Sequence, residues 1–379
     1  MSVGIVLGGG GARGAYEAGV LAGLSEVVGS LHRQGPFDVV CGTSVGAINA
    51  AWLAAHADCP DCSIDGLLQH WLSLSLERHL RPDVRSWFGR TRNTHLGRAV
   101  LDPSELERLV EDGVPWSRLR SNLDRGVLRA LIVTALHVGS GRTTVFTDLA
   151  PGQNYPASRD PRRRHVSCDI RADHVLASAA VPMLFPARRV DDAFYADGGL
   201  RFNTPIAPAL RMGVKKLVVI PLLKETLEAT PLRETPTLVF LAGKLLDALL
   251  LDPIRYDLAV LERFNRLVTV LEESLSPAEL ERVHEAMTKS RGAPYRKVET
   301  LVFRPSEDIG AIALRRGESM AKRGWRGRAL RRLTRLGGGA DADLLSFVLF
   351  DGEHARELID LGRKDVLCRR DEVRAFFER

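Results

Sequence analysis

A serine set between glycines, Gly42-Thr43-Ser44-Val45-Gly46, stands between the apolar run Phe37-Asp38-Val39-Val40-Cys41 and an alanine-rich stretch that ends near His56. A G-x-S-x-G sequence between a strand and a helix makes a sharp turn that lifts a strained serine hydroxyl toward solvent, the geometry of a nucleophile. The plain alternative is a serine that caps the helix N-terminus. Upstream lies Gly8-Gly9-Gly10-Gly11-Ala12-Arg13-Gly14, after a second apolar run, Val3 to Leu7. Backbone amides of such a loop converge where the following helix is electropositive. Read as Gly9 to Gly14, the loop suits an oxyanion, with Gly9, Gly10 and Gly11 as donors, and equally suits dinucleotide phosphates. A third signal is Tyr195-Ala196-Asp197-Gly198-Gly199, an acid at the end of an apolar run. Alone it reads as a turn aspartate that holds a loop.

The elements around these residues decide whether they meet. Residues 3–8 read as a buried strand, and 15–31 as a helix with Val20, Leu24, Val27 and Leu31 on one face. A second strand over 37–41 and a helix to His56 complete a strand–helix–strand–helix unit. Its strands are parallel and its crossover right-handed, so both strands end at one edge of the sheet. The glycine loop and Ser44 then lie side by side. Charge developing on a carbonyl attacked by Ser44 would face the amides of Gly9 to Gly11, where losing one donor raises a barrier by about 3 kcal/mol. A dinucleotide site gives no reason for a nucleophile elbow one crossover later.

Further along, 63–125 reads as mostly helical, with breaks at Pro82, Pro103 and Pro115. Val127 to Val138 and Arg142 to Phe146 flank Gly139-Ser140-Gly141, a hairpin signal. Residues 151–165 read as a solvated loop carrying Arg162, Arg163 and Arg164. A helix over 173–180, a strand ending at Asp197, a helix over 205–212 and a strand over 216–221 follow. From about Thr235 long helical runs dominate, with a strand at 298–304. The run Leu238 to Leu251 reads as a buried helix. Residues 315–335 hold nine Lys or Arg against one Glu, a pattern suited to an anionic membrane surface or to a solvated basic helix.

The chain has 379 residues, 45% apolar, with a formal net charge of +6. That suffices for a large core, and the charge favours anionic partners without choosing among them. No basic-then-apolar leader opens the sequence and the apolar run at 238–251 is short, so a cytoplasmic location is expected. Of five cysteines, Cys59 and Cys62 form a lone C-x-x-C near His56. Without a second ligand pair this reads as a reduced loop pair, and Cys41, Cys168 and Cys368 as free thiols, with no metal site expected.

In this order, Gly9-Gly10-Gly11-Ala12-Arg13-Gly14, Gly42-Thr43-Ser44-Val45-Gly46 and Asp197-Gly198-Gly199 resemble the three signature motifs of the patatin-like phospholipase family. Ala177-Ser178-Ala179-Ala180-Val181-Pro182-Met183-Leu184-Phe185-Pro186 resembles the segment which that family carries before its Asp motif. The resemblance covers 3–222 and implies an α/β fold of three layers, a central mostly parallel sheet between helices. It leaves 223–379 as a mainly helical C-terminal region, packed on the catalytic domain as a lid or a membrane-docking part. The resemblance further implies a Ser44–Asp197 dyad acting on acyl esters of lipids or phospholipids, with no cofactor. Gly9, Gly10 and Gly11 would form the oxyanion hole, Arg13 would steady that loop, and Gly14, Gly42, Gly46, Gly198 and Gly199 would shape the turns. Peripheral contact with an anionic membrane is expected, nucleic acid is not, and the oligomeric state stays open. Two other readings remain: a Ser-His-Asp esterase or thioesterase with His354 as its histidine, otherwise read as a surface residue of a helical tail, and a nucleotide- or phosphate-binding protein without hydrolysis.

Overall fold

In the computed structural model, which describes residues 2–29, 36–75, 102, 104–182, 184–202, 204–224, 241, 244, 252–291, 297–321 and 342–378, the first apolar run is β1 (Val3–Leu7), buried at every position. A 3-10 turn (Gly11–Gly14) leads into α1 (Ala15–Val28). β2 (Val39–Thr43) follows, then α2 (Val45–Ala55) and α3 (Pro60–Ser73). β1 pairs in parallel with β2, Leu7 opposite Gly42, so the glycine loop and Ser44 leave the sheet at the same edge. Continuous apolar runs suit such strands, because helices cover both faces.

After α4 (Ser104–Gly113) and α5 (Trp116–Asp124) come β3 (Ala130–His137) and β4 (Arg142–Leu149), an antiparallel hairpin. β3 lies parallel beside β2, Thr43 opposite Thr134, and then runs on past its end. β5 (Arg163–Ser167) is the outermost strand, parallel to β4. The arginines at 162–164 were expected in a loop, yet Arg163 opposite Thr143 opens this strand. Its backbone is hydrogen-bonded while Arg164 faces solvent, a charge that protects a sheet edge from further pairing. α6 (Ala172–Ser178), β6 (Arg188–Val190), β7 (Ala193–Asp197), α7 (Gly199–Phe202) and α8 (Ile206–Arg211) come next. β7 occupies the space that β2 vacates: it runs antiparallel to β3, with Asp197 opposite Ala135.

β8 (Lys216–Ile220) pairs with the other side of β1, and beyond α9 (Asp252–Ser274) and α10 (Pro277–Arg291) the chain returns as β9 (Glu299–Val302), parallel to β8. The sheet order is β5-β4-β3-β2-β1-β8-β9, with β7 and β6 attached at the end of β3. The fold is therefore α/β, a mostly parallel sheet between helices. The region after 222 supplies a strand as well as helices: α11 (Ile309–Ala321), α12 (Ala342–Val348), α13 (Gly352–Leu367) and α14 (Arg370–Glu378). Most of 238–251 and the basic stretch 322–341 fall outside the described residues. Among the described residues no helix is long and apolar enough to cross a membrane.

Two cysteines depart from expectation. Cys59 sits at the N-cap of α3 and is bonded to Cys62, because the first turn of the helix sets their Cα atoms 5.5 Å apart, within disulfide reach.

α13 lies along α1 and comes closest at two glycines. A Cβ on Gly19 would come within 2.1 Å of the Ile359 carbonyl, and one on Gly362 within 2.4 Å of the Tyr16 carbonyl. Backbones this close have no room for a larger residue. Gly19→Val should lower stability by roughly 2 kcal/mol or more through overpacking, read as a lower urea midpoint. An unchanged midpoint would mean that α13 is not seated on α1.

Candidate active site

Ser44 occupies the turn between β2 and α2 with φ 56° and ψ −128°. Among the described residues only Asp191 shares a positive φ without being glycine. Such a backbone costs about 1–3 kcal/mol and persists only where its surroundings over-determine it. Here the chain on either side closes tightly. A Cβ on Gly42 would lie 2.2 Å from the Gly46 carbonyl oxygen, and one on Gly46 2.4 Å from that of Leu7. The Ser44 amide donates to Ser178 Oγ at 2.8 Å, and that hydroxyl donates to the Thr134 carbonyl at 2.7 Å. Ser44 stands at the N-cap of α2, but its side chain makes no capping bond.

That side chain points elsewhere. Ser44 Oγ donates to Asp197 Oδ2 at 2.6 Å, and the Gly199 amide donates to Asp197 Oδ1 at 2.7 Å. The pair is enclosed: Ser44 is 5% exposed and Asp197 0%. Burial pushes the Asp197 carboxyl up to about 7, against the two hydrogen bonds, which pull it down. The acid thus gains and loses its proton near neutrality. Its position is fixed by the chain, since the Asp197 amide donates to the Ala180 carbonyl at 2.8 Å. A Cβ on Gly198 would lie 2.3 Å from the Thr134 oxygen.

The glycine loop runs beside this pair, and two sets of contacts hold it. From below, the carboxyl of Glu17 on α1 accepts the Gly8 amide and Asn49 Nδ2, the latter at 2.8 Å. Asn49 also donates to the Gly14 carbonyl at 3.2 Å and accepts Trp71 Nε1 at 3.1 Å. Burial pushes the Glu17 acid well above the usual carboxylate range, against the hydrogen bonds from Asn49 and the Gly8 amide, which pull it down. From the side, Arg13 is buried, donates through Nε to Ser346 Oγ at 2.8 Å, and stacks 4.2 Å over the Phe347 ring. Gly11, with φ +57°, leaves only 2.2 Å between its would-be Cβ and the Phe347 carbonyl.

The motifs therefore converge: Ser44 meets Asp197, the glycines at 42, 46, 198 and 199 close the turns around them, and Gly46 lies against the Leu7 and Gly8 carbonyls where the glycine loop begins. His354 does not join them. The sequence pattern predicts a surface histidine, whereas it is fully buried in the first turn of α13, where its amide donates to Asp351. Burial, with the charges of Arg316 and Arg13, holds its imidazole down near 4. The acid meets the serine directly, with no imidazole between them.

Several supporting residues escaped the sequence reading. Ser178 lies in the segment before the Asp197 motif, where its residue type alone assigns it no role. Glu17 is the lone acid in the first two turns of an apolar helix, and Asn49 the lone amide in an alanine-rich one; each is a visible sign of a buried polar contact. Ser346 and Phe347 carried no local signal, because their partner is some 330 residues away.

Residues 5–210 match the family model described as patatin-like phospholipase. Over 201 residues the chain is 30% identical to the cGAMP-activated phospholipase of Pseudomonas aeruginosa, which covers 53% of each protein. A stretch of 57 residues is 49% identical to lysophospholipase nte1 of Aspergillus terreus, covering 15% of this chain and 3% of that one. The chain thus spans about half the length of the first relative and a small fraction of the second. The solved structure of VipD from Legionella pneumophila covers 95% of this chain and 66% of its own, with a TM-score of 0.33 and 14% identity.

Ser178 is the test of how the elbow is held. Ser178→Ala removes the acceptor of the buried Ser44 amide, at about 1–3 kcal/mol for a buried group. The thermal midpoint should fall by roughly 1–4 °C. A midpoint equal to that of the parent would contradict this support.

Proposed function

We propose that this chain, which belongs to the patatin-like phospholipase family, hydrolyses fatty acyl esters of phospholipids or lysophospholipids with Ser44 as nucleophile and Asp197 as its base. The observation that carries the reading is the 2.6 Å hydrogen bond between two enclosed groups, made by a serine held in a strained turn. A site that only bound phosphate would have no use for that strain or for the acid.

The chemistry follows from the arrangement. Ser44 Oγ attacks the ester carbonyl as its proton passes to Asp197 Oδ2. The carbonyl oxygen takes negative charge beside the amides of Gly9, Gly10 and Gly11, the proposed oxyanion hole. Asp197 then protonates the leaving alcohol, and water hydrolyses the acyl-enzyme by the same steps reversed. A carboxylate is a weak base for a hydroxyl in water. Here desolvation brings its pKa close to 7, where a base and its conjugate acid both work.

An apolar cavity supports the choice of a lipid substrate. Val45, next to Ser44, and Ile48 one turn on share it with Trp52, Trp71, Leu106 and Phe350. Such a lining suits an acyl chain. The lysophospholipase and phospholipase names of the relatives agree with that class.

Asp197→Asn keeps the shape and one acceptor but cannot take the proton, so turnover of a soluble acyl ester should fall about 10²–10⁴-fold with the thermal midpoint little changed. In the parent, kcat/KM should rise with pH and reach half its plateau near 7, because the ionised form of Asp197 is the active one. Full activity of Asp197→Asn, or a rate flat from pH 5 to 9, would overturn the assignment.

A further inference from the structure

Val45, Ile48 and Trp52 follow one another along one face of α2 and line the apolar cavity that begins beside Ser44. One turn further along the same helix a second apolar cavity opens, lined by Leu53 and His56 with Leu21 and Leu24 of α1 and Ile64 of α3. The two share no lining residue. Between them stands Trp52. Its ring stacks on His56 of the second cavity, with centroids 4.3 Å apart, and meets His70 of the first edge-on at 4.4 Å.

Several contacts fix the indole. Trp52 is 8% exposed, and its Nε1 donates to the Ser63 carbonyl at 2.7 Å. α3 lies directly on the ring, since a Cβ on Gly66 would come within 2.5 Å of Cζ2. α4 closes on His70 in the same way: a Cβ on Gly113 would come within 2.9 Å of its imidazole. Burial lowers the pKa of both histidines, which favours neutral rings. The cavity beside Ser44 therefore ends at a rigid, uncharged wall. Helix rise places that wall about 10 Å beyond Val45. The acyl chains of one bilayer leaflet span about 15 Å. A chain of that length meets the indole before its end, whereas a medium chain fits.

We propose that Trp52 sets the acyl-chain length this protein accepts. The chain lies along α2 from Ser44 and its methyl end rests against the indole, so medium-chain esters are cleaved in preference to long-chain ones. The inference rests on the reading of Ser44 as the nucleophile and narrows the substrate within it. Trp52 touches no reacting atom. It acts on specificity, by closing off the second cavity.

The test is the chain-length profile of kcat/KM for the full chain on p-nitrophenyl butyrate, octanoate, decanoate and palmitate, all presented in one detergent, with Ser44→Ala as the blank. In the parent, kcat/KM should climb about threefold to fourfold per methylene from butyrate to octanoate or decanoate, and fall for palmitate. Trp52→Leu opens the way to the second cavity and should raise the palmitate-to-octanoate ratio about tenfold or more. Ile48→Phe fills the passage one turn from Ser44 and should lower the octanoate-to-butyrate ratio about tenfold or more. Each ratio is taken within one variant, so a smaller folded fraction does not move it, and Ile48→Phe creates no cavity that would unfold the protein. A parent that favours palmitate, or a profile that either folded variant leaves unmoved, would overturn the role of Trp52 while Ser44-dependent hydrolysis persists. Hydrolysis that survives Ser44→Ala, or none of any ester, would overturn the catalytic reading and this inference with it.

Discussion

The hydrogen bond from Ser44 Oγ to Asp197 Oδ2 is the constraint around which the molecule is arranged. A carboxylate serves as base to a hydroxyl only if water is kept away, and an isolated buried carboxylate is costly. The structure meets both demands at once. Asp197 is fully buried, and its two oxygens are each given a donor, the serine hydroxyl and the Gly199 amide. To bring that acid to the serine, β7 must run antiparallel along β3 in the space beyond the end of β2. To turn the serine toward the acid, Ser44 must adopt a backbone that most residues avoid, and Ser178 and two close glycine contacts keep it there.

The glycine loop is held from two sides by contacts of different kinds. Glu17 and Asn49 tie it to the helices beneath through hydrogen bonds closed off from water. Arg13 ties it to Ser346 and Phe347 near the far end of the chain. The C-terminal region is thus part of the support of the proposed oxyanion hole, joined to the sheet by β9 and to α1 through the glycine contacts with α13. We propose this support as its role in place of a simple appended lid.

What the sequence made legible was local. The turn at Ser44, the glycine loop and the acid before two glycines depend on backbone freedom at named positions, and that freedom is written in residue types. The parallel unit of β1 and β2 followed from strand–helix alternation alone. What stayed hidden was set by distant partners. Ser178 shows its purpose only once α6 ends beside Thr134, and Ser346 only once α12 reaches Arg13. His354 looked like a tail residue because burial of a polar helix depends on what packs over it, here α1 and α3, whose Tyr16 and Leu72 carbonyls lie against Gly362 and Gly352. Arg163 looked like a loop residue because β5 is a strand only by pairing with β4.

The central claim is that one pocket holds the nucleophile, its carboxylate base and the amides that stabilise the oxyanion. A crystal structure of the protein after reaction with a fluorophosphonate tests it most directly. The account requires phosphorus on Ser44 Oγ, the phosphoryl oxygen within hydrogen-bond distance of amides among Gly9–Gly11, and Asp197 still beside Oγ. A phosphorus bonded to another residue, or a phosphoryl oxygen turned away from that loop to solvent, would contradict it.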